Sequence, residues 1–314
     1  MPPLTPLIKT DFENILKNYP LGEYKSHKHI DWALGNTVYL LKTTKLKYIL
    51  KVCEQSGEDL LKFQIDVLNY LNKKGIPVAP VLKTKTKRNL IHYNGKPVLI
   101  QKFVSGKHPK KIDEELMKEI TNLFGLMHKY LLRLKLKGKH TCLNHFKPSL
   151  DKVGTIPKIN FRREEKDLIK QLKKLNQKYL RRCIIHSDLR DVNLLVENNK
   201  VQAIIDWDDA HEDYLAYDIG VFLLDPSVKN GRVDKKILKS FFKGYQKHVK
   251  LTDEEKKAVY YFIKARSLST IAWCSRQIRV HKEHTARLKN IRLKMIKRYQ
   301  VLNDFGVDNF LELF

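Results

Sequence analysis

The stretch IIHSDLRDVNLLVENNKVQAIIDWDD, residues 184–209, is the most informative part of this sequence. It opens with two isoleucines, continues as a polar loop that ends at Asn193, and then places apolar runs on either side of the pair Asn198-Asn199. Apolar runs joined by an Asn pair predict a two-stranded hairpin. Asn193 and Asp206 flank the open end of this hairpin, and we therefore expect them to lie close together.

Four polar residues of this stretch, His186, Asp188, Asn193 and Asp206, suit phosphoryl transfer. The reaction needs a carboxylate that orients or deprotonates the attacking hydroxyl, and oxygen ligands for the magnesium ion that neutralises the developing charge. Asp188 suits the first task. Asn193 and Asp206 suit the second, because Mg²⁺ prefers hard oxygen donors and takes only one or two from protein. The pattern therefore predicts phosphoryl transfer from ATP with Mg²⁺.

Each of these features has an ordinary explanation when it stands alone. A His-x-Asp triplet is common in loops, and an aspartate after a strand often only caps a turn. The catalytic interpretation is favoured by the combination of two carboxylates, an amide and a histidine in fixed order around one strand-turn-strand unit.

Length and composition set the outer limits. A chain of 314 residues exceeds the usual size of a single core, which predicts two lobes. No apolar run approaches a membrane span, and the amino terminus lacks a signal-peptide pattern, so we expect a soluble cytoplasmic protein without a membrane partner. The cysteines form no Cys-x-x-Cys pair, which predicts neither a disulfide framework nor a zinc site. They are Cys53, Cys142, Cys183 and Cys274.

The formal net charge of the chain is +27. A field of that sign attracts ATP, nucleic acids and acidic surfaces. The basic clusters near Lys83–Arg88, Lys107–Lys111 and Arg133–Lys139 are spread along the chain without interleaved aromatic residues. We therefore attribute the charge to solvated lysine-rich faces and do not expect nucleic acid as the main partner.

The first third of the chain has the pattern of a small β-rich lobe. Four strands are predicted, over Tyr24–Trp32, Thr37–Thr44, Tyr48–Cys53 and Val98–Phe103. A helix is predicted over Ser56–Lys74, with Asp59 in a capping role, and a shorter helix is predicted to be capped by Thr10 and Glu13.

Two features of this lobe point to a phosphate site. Gly35-Asn36, between the first two strands, would let backbone amides approach phosphates, although an ordinary hairpin turn explains the pair equally well. Lys51 is the one lysine inside the apolar run Tyr-Ile-Leu-Lys-Val-Cys. Strand alternation alone would explain it, but a lysine at this position of a phosphate-handling lobe reaches the α- and β-phosphates. Its partner on the following helix is left open among Glu58, Gln64 and Asp66.

The last strand of this lobe leads into the rest of the chain. The backbone from Gln101 to Val104 is placed to bond an adenine edge, with Gln101 and Phe103 as candidate nucleotide contacts. Residues 1–104 are therefore the predicted nucleotide-binding lobe, and residues 105–314 the predicted catalytic and substrate-binding lobe.

Helical periodicity dominates the second lobe. Helices are predicted from Asp113 onwards, over Glu164–Tyr179, over 219–224, over 234–248 and through 253–303. The basic stretch Arg133–Ile159 is weakly periodic and is interpreted as a connection or a substrate-side insertion.

The chain resembles the aminoglycoside phosphotransferase and choline kinase-like superfamily, and within it the homoserine kinase branch. The loop from His186 to Asn193 carries the likeness to the superfamily. The likeness to the branch rests on four further segments, Tyr19–Glu23, Gly35–Tyr39, Gly75–Pro80 and Asp213–Asp218.

The resemblance implies an α+β, bilobal protein-kinase-like fold with a small antiparallel-sheet N-lobe and a mainly helical C-lobe. It also implies Mg²⁺-dependent transfer of the ATP γ-phosphate to the hydroxyl of a small molecule. In this scheme Asp188 is the catalytic base, Asn193 and Asp206 hold the metal, and Lys51 holds the phosphates.

Further residues receive supporting roles from the same resemblance. His186 orients the loop, and Asp218 braces it, unless Asp218 only caps the helix that follows. Asp208, Asp209 and Asp213 form an acidic patch in a basic protein and would suit the ammonium of an amino-alcohol substrate.

The phosphate acceptor is left open. Homoserine or a similar amino alcohol is the first expectation, and choline, ethanolamine, methylthioribose, hydroxylysine and aminoglycosides remain alternatives. A catalytically silent kinase-like binding protein and a nucleic-acid-associated protein are the other classes considered. Two differences from the superfamily pattern are the charged pair Arg190-Asp191, where a proline or small residue is usual, and the small-lobe helix, which lacks the glutamate expected in many superfamily members.

Overall fold

The computed structural model describes residues 4–30, 35–54, 56–136, 156, 159–280 and 285–314, and these residues group into two compact units. The first unit comprises the described residues up to Lys107, Leu136 and the segment Leu194–Asp208. The second unit comprises the described parts of 108–135 and 139–193, together with Asp209–Phe314.

An antiparallel sheet dominates the first unit, with the spatial order β1-β2-β3-β5-β4. The strands are β1 Tyr24–His29, β2 Thr37–Thr43, β3 Lys47–Val52, β4 Ile91–Tyr93 and β5 Lys96–Lys102. Two helices accompany them, α1 Lys9–Leu16 and α2 Glu58–Lys73. Alternate residues of β2 are buried, and Leu41 of this strand joins Phe12 and Ile15 of α1 in one apolar core.

A separate hairpin completes the first unit. β7 Leu194–Glu197 and β8 Lys200–Ile204 pair antiparallel. Both residues of the connecting pair Asn198-Asn199 have positive φ, 51° and 56°, as a tight hairpin turn of this kind requires. The predicted hairpin is confirmed.

The second unit is mainly helical. Its helices are α3 Glu114–Leu131, α4 Phe161–Lys174, α5 Leu215–Leu223, α6 Lys235–Tyr245, α7 Asp253–Val280, α8 Thr285–Phe305 and α9 Val307–Leu311. Its strands form two short antiparallel pairs, β6 Arg182–Ile185 with β9 His211–Tyr214, and β10 Val228–Lys229 with β11 Arg232–Val233.

Helices α5 and α7 are packed closely, and both carry residues of the site described below. A Cβ added at Gly220 of α5 would lie 2.7 Å from the Cβ of Phe262 in α7. The glycine therefore permits a backbone approach that any larger residue would prevent.

The predicted fold class is confirmed, with an antiparallel sheet in the amino-terminal part and a helical carboxyl-terminal part. The boundary between residues 104 and 105 stays a prediction. Cys53, Cys183 and Cys274 are buried free thiols, whereas Cys142 lies outside the described residues, as do Trp32 and most of Arg133–Ile159. Within the part of the chain that the structure describes, no helix has the length and apolarity of a membrane span.

Several local predictions are wrong. The cap of α1 is Ile8, whose amide donates to Asp11 Oδ2 at 2.8 Å, so the predicted pair Thr10 and Glu13 has no capping role. Helix α2 begins after Gly57, which makes no side-chain cap. Helix α5 begins after Tyr214, earlier than predicted, and therefore Asp218 lies inside the helix and does not cap it.

Candidate active site

The predicted catalytic loop leaves β6 after Ile185 and ends in a 3₁₀ turn, Asp191–Asn193. Asn193 folds back on Asp188, and its Nδ2 donates to the Asp188 backbone carbonyl at 2.7 Å and to Asp188 Oδ2 at 3.1 Å. These bonds fix the orientation of the Asn193 amide and leave its Oδ1 as the atom available to a cation. The Asp188 side chain remains 27% exposed, as a group that meets a substrate must be.

Asp218 of α5 holds the backbone of this loop. Its two carboxylate oxygens accept hydrogen bonds from the amides of His186 and Ser187, each at 2.7 Å. His128 Nε2 lies 3.3 Å from Asp218 Oδ2, and His128 Nδ1 lies 2.8 Å from the hydroxyl of Tyr245. Burial alone would raise the pKa of Asp218, but His128 and the loop amides lower it below its usual value, so this carboxylate is ionised at neutral pH.

Arg266 of α7 is a second partner of Asp188. Its Nη2 donates to Asp188 Oδ1 in an ion pair, and its guanidinium is also hydrogen-bonded to Tyr217. Burial would lower the pKa of Arg266, but Tyr217 and Asp188 raise it above its usual value. One carboxylate oxygen of Asp188 thus meets Asn193 and the other meets Arg266.

In the first unit, three side chains converge on Asp208. Lys51 forms an ion pair with Asp208 Oδ1, and Asn36 Nδ2 donates to Oδ2 at 2.6 Å. Gln64 of α2 donates to the Asp208 backbone carbonyl. Burial would lower the pKa of Lys51, but Asp208 raises it above its usual value, so the ammonium stays charged. Lys51 therefore pairs with Asp208, and its ion pair involves none of the candidates on α2.

Asn193 and Asp206 stay predicted ligands of a metal ion. No group of three or more His, Cys, Asp or Glu suited to a metal ion occurs among the described residues. Mg²⁺ bound to phosphates takes only one or two oxygen ligands from protein, and the amide of Asn193 and the carboxylate of Asp206 are such oxygens. Asp206 also contributes to the raised pKa of Lys51 and has a positive φ of 65°, a strained conformation for a residue with a side chain.

The other predicted nucleotide contacts also lie in the first unit. Gly35 occupies a bend just before β2. Gln101 of β5 donates through Nε2 to the Ala79 carbonyl at 3.0 Å, and Phe103 follows β5 with Lys47 Nζ 5.8 Å from its ring centre. Their roles in nucleotide binding stay predictions.

The predicted substrate residues differ in their surroundings. Asp213 of β9 is buried, and its carboxylate accepts from the Tyr214 amide at 2.7 Å and lies 3.6 Å from His211 Nε2. Both carboxylate oxygens of Asp208 are engaged with Lys51 and Asn36. Neither geometry tests a contact with substrate.

Two residues of the site were missed by sequence reasoning. Arg266 lies within a long helical pattern and belongs to no motif. His128 stands in the apolar stripe of α3, one turn after Phe124, and a polar residue in such a stripe is the only signal that the sequence offered. Arg266 reaches Asp188, and His128 reaches Asp218, only through the tertiary fold.

Comparison with known proteins assigns the chain to a family. The sequence profile of the Phosphotransferase enzyme family, APH, matches residues 27–251 of the chain. The chain belongs to this family. The stretch that contains Asp188, Asn193 and Asp206 lies inside the matched range.

Relatives of this phosphotransferase include homoserine kinases. The chain is 28% identical to the homoserine kinase of Methylobacillus flagellatus over 250 residues, which cover 76% of each chain. Among solved structures, the amicoumacin kinase hAmiN in complex with AMP-PNP, Ca²⁺ and Ami superposes with a TM-score of 0.76 at 17% identity, covering 97% of this chain and 96% of that one. A microcompartment-associated aminopropanol kinase superposes with a TM-score of 0.75 at 18% identity, covering 97% and 99%. These two structures support the fold alone.

Proposed function

We propose that the protein is an ATP- and Mg²⁺-dependent kinase that phosphorylates a hydroxyl group of a small molecule, with homoserine as the first candidate. The observation that carries this proposal is the Asp188 carboxylate, held by Asn193 and Arg266 on a loop that Asp218 braces. A fixed and partly exposed carboxylate is suited to orient an attacking hydroxyl. The similarity to homoserine kinases over 76% of the chain supports the choice of acceptor.

The proposed reaction is a direct transfer. The acceptor hydroxyl gives its proton to Asp188, and its oxygen forms a bond to the γ-phosphorus of ATP. The bond from that phosphorus to the bridging β,γ-oxygen breaks, and its electron pair leaves with ADP. Asp188 later returns the proton to water, so that the products are a phosphate monoester and ADP.

The remaining predicted residues bind the phosphates, bind Mg²⁺ or hold the catalytic loop in this proposal. Lys51 contacts phosphate oxygens, because its ammonium is charged and held in place by Asp208. Asn193 and Asp206 bind Mg²⁺, which when bound neutralises negative charge on the phosphates. His186 and Asp218 hold the loop in shape.

Release of ADP from ATP and Mg²⁺ tests this proposal. We expect homoserine to stimulate ADP formation more than choline, ethanolamine, methylthioribose, hydroxylysine or an aminoglycoside, and we expect removal of Mg²⁺ to abolish it. The substitution Asp188→Asn should lower kcat by about 10³-fold. Asp253→Asn is the matched control, since that side chain is 86% exposed on α7. ADP formation that no acceptor stimulates would favour a silent kinase-like binding protein.

A further inference from the structure

Arg266 has hydrogen-bonding capacity that its protein partners leave unused. A guanidinium carries five N–H donors. Here Nη2 donates to Asp188, and the guanidinium also bonds to Tyr217. Nε is buried and has no hydrogen-bond partner among the described residues. A buried donor without an acceptor is costly, which points to an acceptor that is supplied from outside the protein.

The guanidinium is nevertheless within reach of a small molecule. The Arg266 side chain is 22% exposed and Asp188, its ion-pair partner, is also partly exposed. Arg266 is also held firmly, because it lies one turn beyond Phe262, at the point where α7 packs closely on α5. A molecule whose hydroxyl contacts Asp188 therefore meets a fixed cation beside that carboxylate.

The charges around Arg266 suit a zwitterion. Asp188 and Asp209 both act on Arg266 and help to keep it charged. An α-amino acid brings one carboxylate and one ammonium, separated by a single carbon. Its carboxylate suits the Arg266 guanidinium. An amino alcohol brings only the positive charge and leaves the Arg266 Nε without an acceptor.

From these observations we infer that Arg266 forms a subsite for the carboxylate of the phosphate acceptor. The protein then selects hydroxy amino acids with a free α-carboxylate over amino alcohols that lack one. This inference rests on the proposed kinase function and names the substrate class of the same site. An arginine suits the task better than a lysine, because its planar fork matches the two oxygens of a carboxylate.

The spacing within such a substrate fits one guanidinium. In homoserine the hydroxyl oxygen and the carboxylate carbon lie roughly 4–5 Å apart when standard bond lengths are used. Arg266 bonds Asp188 through Nη2, and its Nε is the nitrogen that lacks an acceptor among the described residues. A single side chain thereby positions the carboxylate that receives the hydroxyl proton and the far end of the acceptor.

Matched acceptors that differ only in the carboxylate test the inference in the intact protein. The pairs are L-homoserine with 3-aminopropan-1-ol, L-serine with ethanolamine, and L-threonine with 1-aminopropan-2-ol. We expect kcat/KM for the best acid to exceed that for its decarboxylated partner by about 100-fold or more, since a site built for a polar group discriminates strongly against analogues without it.

Substitution of Arg266 isolates its contribution. In Arg266→Gln we expect kcat/KM for the acid to fall by about 100-fold, mainly through KM, so that the preference within the pair collapses. Poorer positioning of Asp188 lowers kcat/KM alike for both acceptors of a pair. The ratio of the two kcat/KM values therefore reports the subsite alone. Arg266→Lys keeps the charge without the fork and should recover only part of the preference. Arg163→Gln, on the exposed face of α4, is the control that should keep the wild-type ratio.

Each outcome decides between the two proposals. The carboxylate subsite is overturned, while the kinase function stands, if the wild-type protein phosphorylates 3-aminopropan-1-ol as well as it phosphorylates homoserine. The same conclusion follows if Arg266→Gln lowers kcat/KM equally for the acid and for its decarboxylated partner. If no acceptor of any class is phosphorylated, both proposals fail. Should Arg266→Gln not fold, the wild-type preference and Arg266→Lys still decide the question.

Discussion

Asp218 of α5 accepts a hydrogen bond from the backbone amide of Ser187 at 2.7 Å, in the buried interior of the second unit. Ser187 has a φ of 72°, a left-handed conformation that is costly for a residue with a side chain. Ser187 directly precedes Asp188. A buried charge therefore stabilises the backbone conformation on which the direction of the Asp188 carboxylate depends.

Removal of this charge should impair both stability and turnover. In Asp218→Asn we expect the free energy of unfolding to fall by about 3 kcal/mol, because a charged acceptor of two buried amides is replaced by a neutral one. We expect kcat to fall by about 10- to 100-fold as Asp188 loses its orientation. Urea denaturation and steady-state kinetics measure the two effects, with Asp253→Asn as the exposed control. Wild-type kcat in a folded Asp218→Asn variant would contradict the bracing role.

Lys51 provides a test of the phosphate site. In Lys51→Met we expect the KM for ATP to rise by about 30-fold, since a charged contact to phosphate is lost, with a smaller change in the KM for the acceptor. Lys42→Met, at an exposed position of β2, should leave both constants unchanged. An unchanged KM for ATP in Lys51→Met would show that Lys51 serves only to pair with Asp208.

The parts of the site that follow from sequence are those with a local cause. Asn198-Asn199 fixes the β7–β8 hairpin, because few residues adopt two successive positive φ angles. The loop that joins Asp188 to Asn193 is short, and the roles of its carboxylate and amide side chains can be predicted from the residue types. The fold class follows in the same way, from strand alternation in the first third of the chain and helical periodicity in the rest.

The parts that do not follow from sequence depend on tertiary contacts. Lys51 has its ion-pair partner in Asp208, whereas the sequence leaves the partner open among Glu58, Gln64 and Asp66 of α2. Of these, Gln64 donates to the Asp208 backbone carbonyl. Helix packing brings Arg266 to Asp188 and His128 to Asp218, and no spacing in the sequence encodes these contacts. The mistaken cap at Asp59 has a different cause, because the residue before α2 is Gly57, which has no side chain to form a cap.

Asp225 forms a second charged cluster with Arg190 of the catalytic loop and Arg298 of α8. It pairs with Arg190 at 3.2 Å and with Arg298, whose Nη2 also donates to the Asp225 carbonyl at 3.2 Å. Burial would raise the pKa of Asp225, but Arg190 and Arg298 lower it below its usual value of 3.8. The unusual charge at position 190 therefore has its counter-ion within the second unit, where it shares Asp225 with Arg298.

In Asp225→Asn we expect the free energy of unfolding at pH 7 to fall by about 3 kcal/mol, because two partly buried guanidinium groups lose their counter-ion. The folded-state pKa of Asp225 is lowered, so its contribution is complete above pH 3.8 and is lost as the pH falls through the folded value. The difference from wild type should therefore be constant from pH 5 to 8. Urea denaturation across this range measures it, with exposed Asp59→Asn as the control. A difference that varies within the range would contradict the assignment.

Glu165 of α4 should make stability fall with rising pH. Its carboxylate oxygens are buried and have no hydrogen-bond partner among the described residues, and burial raises its pKa from 4.5 to about 7. Between these values the folded state binds the proton more tightly than the unfolded chain, so stability falls from pH 4.5 to 7 and is level above. Glu165→Gln removes this penalty. It should raise the free energy of unfolding by about 1 kcal/mol at pH 8 and much less at pH 5. Thermal unfolding at both pH values measures the change, and Asp167→Asn, which is 62% exposed on the same helix, should show no such pH dependence. An equal effect of Glu165→Gln at pH 5 and pH 8 would mean that the carboxyl does not titrate in this range, and that its burial is compensated within α4 or its neighbours.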